Sequence, residues 1–188
     1  MPRPRSDDKR AAIMSAATRV IAGQGLGAAT ATIAKEAGVS NGSLFTYFDT
    51  KADLLNQLYL ELKTEMGTAA LGGLPAEGDV REQVLHMWSR WLRWATAYPE
   101  KRRALAQLDV SDEITSLTHQ AGSRAMTGVA ELLERSRDNG PMRDAPLAFV
   151  VALANALAEA TIDFIIDDRD NADAHARTGF DAFWRMIA

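Results

Sequence analysis

The sequence predicts an all-α fold of about nine helices: a small N-terminal head of three helices and a larger helical body. Three observations carry this. Apolar residues recur at three- and four-residue spacing in segment after segment, with alanine and leucine prominent and few β-branched runs. Glycine and proline punctuate those segments where a helix must stop, at residues 23–27, 67–79, 99 and 139–141. Residues 30–48 read as two short helices joined by a tight glycine turn.

The first helix is expected to begin after Ser6, with Asp7 and Asp8 favourable in its first turn and Ile13, Ala17, Val20 and Ile21 as its buried stripe. Arg3 and Arg5 lie beside prolines in a short arm that either reaches along a DNA groove or is simply solvated. Thr30 caps the second helix, in which Ile33, Ala34 and Ala37 recur at helical spacing, and Gly38 ends it. Val39 plugs the turn. Ser40 caps the third helix, with Leu44 and Phe48 facing inward. Ile13, Ala17, Val20, Ile33, Val39, Leu44 and Phe48 are expected to form the core of the head.

A capping-box pattern, Thr50 with Asp53, opens a helix reaching about Met66. Residues 67–79 then form a glycine-rich connection. Val80 to about Tyr98 is helical and Pro99 stops it; a short helix covers 100–108. Ser111 starts a helix running to 139–141, and Pro146 opens the next. The last spans about 171–186.

Composition bounds the rest. The 188 residues, 47% hydrophobic, fit one large domain or two small ones with a sizeable core. No cysteine is present, which excludes disulfides and thiolate chemistry and suits a reducing cytoplasm. No apolar run is expected to reach the ~20 residues of a membrane span, so no membrane partner is expected. The N-terminus carries basic residues without an apolar stretch after them, unlike a secretory signal. The net charge of −4 is unevenly spread: residues 1–51 hold seven Lys and Arg against four Asp and Glu, and the remainder fourteen against twenty-one. A basic head and an acidic body fit a chain whose head meets phosphate.

The outer face of the third helix carries Asn41, Gly42, Ser43, Thr46 and Tyr47: small or polar, with no bulky aliphatic. A helix entering a major groove needs small residues for approach and polar tips for base edges and phosphates, although any solvated face is polar too. Lys51 stands in a first turn, where the helix dipole disfavours a cation; it serves either a phosphate at that helix end or solvent.

The stretch from Thr30 to Leu55, above all Gly38-Val-Ser-x-Gly-Ser-Leu-Phe-x-Tyr-Phe-x-x-Lys51-x-x-Leu-Leu55, resembles the TetR family of bacterial transcriptional regulators. The resemblance covers about residues 6–60. Two departures stand out: Phe45 occupies a position usually held by Tyr, and Leu26 one often held by a larger aromatic. The resemblance implies a helix-turn-helix DNA-binding domain at 1–49 and a helical ligand-binding and dimerisation domain at 50–188. It implies that Thr30, Tyr47 and Lys51 meet phosphates, that Asn41, Gly42, Ser43 and Thr46 face bases, and that Phe45 stacks on a thymine methyl or a sugar. It further implies a homodimer on double-stranded DNA with a palindromic operator, controlled by a small-molecule effector and needing no cofactor. The alternatives are a helical small-molecule-binding module, or an activator without a repressor role.

The alanine row at Ala148, Ala152, Ala156 and Ala160 allows close approach of a facing helix, either intramolecular or from a second copy. In the family context it is read as a dimer seam, with Phe180, Phe183, Trp184 and Ile187 as its larger knobs. Trp88, Trp91 and Trp94 are core or the lining of an effector pocket, with His119, Met126, Asn155 and Glu159 as its polar or soft partners. An enzyme is not expected. His86, His119 and His175 are far apart, with no metal-ligand spacing and no Gly-x-Ser-x-Gly elbow.

Overall fold

A computed structural model describes residues 4–188, with side chains from Asp7 onward. The arm containing Arg3 and Arg5 lies outside that description. Among the described residues there are ten α-helices, one 3-10 turn and no strand. They are α1 (Pro4–Gln24), α2 (Thr30–Glu36), α3 (Asn41–Leu44), α4 (Lys51–Leu71), α5 (Val80–Ala97), α6 (Pro99–Asp109), α7 (Ser116–Ala125), α8 (Thr127–Arg137), α9 (Leu147–Asp167) and α10 (Ala172–Ile187).

The chain forms two compact units, residues 1–64 with 98–124, and residues 65–97 with 125–188. This division differs from a boundary at residue 49: the first unit also takes in the start of α4, α6 and most of α7. Its core holds Ile13, Ala17, Val20, Ile33, Leu44 and Phe48, all buried, while Val39 is half-buried. The second unit is built from the end of α4 with α5, α8, α9 and α10, around Trp88, Leu133, Ala154, Ala158, Phe180 and Phe183.

Several helices start where the chain supplies a cap. Ser40 Oγ accepts from the Ser43 amide at 3.1 Å, and Thr50 Oγ1 from the Asp53 amide at 3.0 Å. The Asp53 carboxylate reaches back to accept from the Asp49 amide at 3.1 Å, one residue before the amide that a reciprocal box would use. Pro99 opens α6 at a position where its missing N–H costs nothing.

Three expectations are corrected. Thr30 is not a cap: Ala29 holds that position, without a side-chain hydrogen bond, and Thr30 is the first helical residue. Gly67 does not end α4. A Cβ there would stand 2.9 Å from the Ala125 carbonyl oxygen and 3.0 Å from Met126 Sδ, so the glycine serves close packing inside a continuing helix. The 111–139 segment is not one helix. Ser111 forms a turn, Thr115 Oγ1 accepts from the Thr118 amide at 3.2 Å, and α7 and α8 are separated at Met126. Asn56 holds that turn, accepting from the Thr115 amide at 2.9 Å and donating to the Glu113 carbonyl at 2.8 Å.

Candidate nucleic-acid interface and regulatory cavity

The turn of the head depends on Gly38, whose φ of +69° only glycine adopts without strain. The chain then reaches Ser40 in extended backbone, and its cap fixes where α3 begins. Leu44 and Phe48 anchor the underside, both fully buried. The outer side presents Asn41, Gly42, Phe45 and Thr46 to solvent, with Ser43 and Tyr47 half-buried at its edges. The regular helix is short, and residues 45–47 continue it as tighter turns. Phe45 is 42% exposed. Thr46 donates its hydroxyl proton to the Ser43 carbonyl at 2.7 Å, so what it offers outward is its methyl group and an acceptor.

Lys51 is neither simply solvated nor wholly free for a phosphate. Its ammonium donates to the Leu26 carbonyl at 2.5 Å, tying the start of α4 to the α1–α2 turn. Two further N–H groups remain on that nitrogen. Arg10 and Arg19 are also engaged, with Gln57 at 2.8 Å and Glu36 at 2.8 Å. Glu36 is already counted in the charge of the head, whereas Glu61, 3.6 Å from Arg10, offsets part of the basic excess from outside it.

The second unit encloses an apolar cavity of about 50 Å³. The end of α4 supplies Met66 and Ala70; α5 supplies Met87, Trp88 and Trp91. Met126 borders it from the α7–α8 break, with Val129 and Leu133 from α8. Val151, Ala154 and Asn155 come from α9 and Phe183 from α10. Trp88 stacks on Phe183 with centroids 5.2 Å apart and an interplanar angle of 11°. Trp91 meets Trp88 edge-on at 6.0 Å and 84°. The Trp88 Nε1–H donates to the Ala176 carbonyl at 3.3 Å.

The model of the tetR family of bacterial regulatory proteins matches residues 13–58, the segment just described. Over the whole length, a crystal structure of a TetR-type transcription regulator from Shewanella sp. PV-4 is similar, at 28% identity and a TM-score of 0.84, covering 96% of this chain and 98% of that one. The match to the family model is confined to the head, while the likeness over the whole length is one of fold. A TetR family transcription regulator from Marinobacter aquaeolei VT8 shares the fold at 22% identity and a TM-score of 0.89, covering 100% and 99%. LfrR from Mycobacterium smegmatis, solved with proflavine, shares it at 19% identity and 0.69, covering 96% and 98%. Residues 13–58 are therefore a helix-turn-helix head similar to that of the tetR family of bacterial regulatory proteins.

Trp88, Trp91, Met126 and Asn155 meet at the cavity, with Asn155 at its exposed edge. His119 and Glu159 do not line it. His119 belongs to the first unit, where its Nδ1 shares a hydrogen bond with the Tyr59 hydroxyl at 3.2 Å. Tyr59 donates to Asp109 at 3.0 Å; burial and that carboxylate push its phenol above the usual range. Phe180 and Phe183 are not dimer knobs: both are buried against their own subunit, and Phe183 is cavity wall. Trp184 is half-buried and lies near-parallel to Phe180 at 6.1 Å, while Ile187 is fully buried. Ala148, Ala152, Ala156 and Ala160 are all exposed, alongside Phe149 at 53% and Phe164 at 63%. Contrary to the expectation for apolar runs, α9 is long and apolar enough to cross a membrane by length and composition, with a mean hydropathy of 1.8 over a window 28% buried.

The sequence reading missed Met66, Met87 and Phe183 as cavity wall. Met66 and Met87 stand singly on two segments and give no local signal; only the packing gathers them with Phe183.

Proposed function

We propose that this chain is a transcriptional regulator of the TetR type and a repressor, bound as a homodimer to a palindromic operator and released when a small molecule occupies the cavity. The observation that carries the reading is the Ser40-capped segment, which offers Asn41, Gly42, Phe45 and Thr46 to solvent over a fully buried Leu44 and Phe48. In the proposed complex Asn41 hydrogen-bonds a base edge, and Ser43 and Thr46 read adjacent edges. Gly42 permits close approach and Phe45 packs on a thymine methyl or sugar. Thr30, Tyr47 and Lys51 hold phosphates. The second copy docks through the exposed alanine row of α9, so that two heads meet half-sites ~34–36 Å apart.

The cavity supports ligand control because α4 is one helix from Lys51, in the first unit, to Met66 and Ala70 in the cavity wall. A ligand that shifts its end acts on the helix that carries the head. Release requires tighter ligand binding to the DNA-free form, and DNA then weakens ligand binding by the same factor. The proflavine complex of LfrR supports small-molecule binding in this fold. The site of action is the cytoplasm, beside the DNA.

The test is fluorescence anisotropy with duplexes from the region upstream of the gene. Saturable binding to one palindrome, with a steep salt dependence, is expected. Tyr47→Phe should weaken binding to all sequences alike, whereas Asn41→Ala or Thr46→Ala should change which base is preferred. Absence of binding to every palindrome at low salt would overturn the reading.

A further inference from the structure

We propose that the cavity of the second unit selects an uncharged, mainly hydrocarbon molecule and rejects carboxylates and ammonium compounds of the same shape; this rests on the reading of that cavity as the effector site. Among the described residues that line it, none is charged, and Asn155 is the one amide, at the exposed edge. The Trp88 N–H is already engaged by the Ala176 carbonyl. An ion entering this wall would lose its hydration and find no countercharge to offset that loss. A hydrocarbon would gain contact with the Trp88 and Phe183 faces and lose little. One hydroxyl or carbonyl could be met by Asn155.

Size adds a second constraint. A cavity of about 50 Å³ is smaller than the ~150 Å³ apolar void known to hold benzene in another protein, so a six-membered ring requires the wall to yield. Met66, Met87 and Met126 are the side chains suited to this, being unbranched and polarizable. The aromatic pair supplies the flat part of the wall and the methionines the adjustable part. The geometry therefore points to slender or single-ring neutral molecules rather than large polar ones.

Three near-isosteric probes test this on the full-length protein: cyclohexylmethanol, cyclohexanecarboxylate and cyclohexylmethylammonium at neutral pH. None absorbs where tryptophan does, so intrinsic emission, with Trp88 and Trp91 in the wall, reports occupancy. A saturable change with the alcohol is expected, with both ions at least about 100-fold weaker. Val129→Phe, which fills the cavity, should abolish the response while leaving the thermal melt intact; Ala154→Val serves if that variant does not fold. Either ion binding as tightly as the alcohol would overturn the proposal, as would no response to any probe up to solubility. Operator anisotropy in parallel separates the two readings. An ion that binds and releases DNA leaves the repressor standing and overturns the selectivity. An alcohol that binds without releasing DNA supports the selectivity and overturns release.

Discussion

Gly38 and Gly42 flank the Ser40 cap and are glycine for different reasons. At Gly38 the backbone sits at φ +69°, where a Cβ costs about 1–2 kcal/mol. At Gly42 the backbone is helical and an added Cβ would meet nothing within 4 Å. Folding alone therefore gives no reason for glycine there, and alanine in a helix is favoured by roughly 0.5–1 kcal/mol. Gly38→Ala should lower stability by about 1–2 kcal/mol in urea titration. Gly42→Ala should leave stability equal or higher and still weaken operator binding. Undiminished duplex affinity in Gly42→Ala would remove this residue from the proposed interface. Both glycines were visible in the sequence. Only the backbone angles and the space around each Cβ separate a turn requirement from room for a partner.

At the scale of elements, chemistry that acts within a few residues was legible. The Ser40 cap, the Thr50 cap and the Pro99 start fell where the sequence put them, because each is a local hydrogen bond or a local steric rule. Elements decided by a distant neighbour were not. Gly67 reads as a helix stop, yet it lets α4 lie against the Ala125 carbonyl; Gly67→Val should overpack that contact and cost about 1–3 kcal/mol by thermal melting. The helical spacing of Phe180 and Phe183 gave the correct face of α10 but not its partner, since a stripe looks the same toward α5 or toward a second copy. The corner between α9 and α10 is another case. His175 Nε2 lies 2.9 Å from Asp168 Oδ2, and Asn171 donates to both carboxylate oxygens at 3.1 and 3.0 Å. The hydrogen bond with His175, then those from Asn171, hold the Asp168 carboxyl below the usual range. A depressed carboxylate stabilises the folded form above its unfolded pKa, and that contribution is lost as pH falls through the lower folded value. Asp168→Asn should therefore lose stability at neutral pH and show a shallower acid limb in melts taken below about pH 4. An unchanged acid limb would mean that the corner is held by packing alone.

For the whole molecule, the decisive surface is the outer face of α9. A helix this apolar is ordinarily buried all round, in a protein core or a membrane, yet here Ala148, Ala152, Ala156 and Ala160 are exposed with Phe149 and Phe164 beside them. Small residues on one row suit a helix pressed closely against its own copy, and the proposed operator with two half-sites would require two heads. Ala156→Arg places a bulky cation on the row without touching the subunit core, so the protein should stay folded, with an unchanged far-ultraviolet spectrum, and sediment as a monomer. Binding to a full palindrome should then fall by at least about 100-fold, because linking two sites raises affinity by 10²–10⁴. Binding to an isolated half-site should not change. Phe183→Ala supplies the contrast: emptying a buried site should cost about 3–5 kcal/mol of stability at any protein concentration. If Ala156→Arg remained a dimer with full operator affinity, the copies would meet elsewhere. If the wild-type chain instead partitioned onto lipid vesicles through α9, the exposed row would belong to a membrane surface and not to a second regulator.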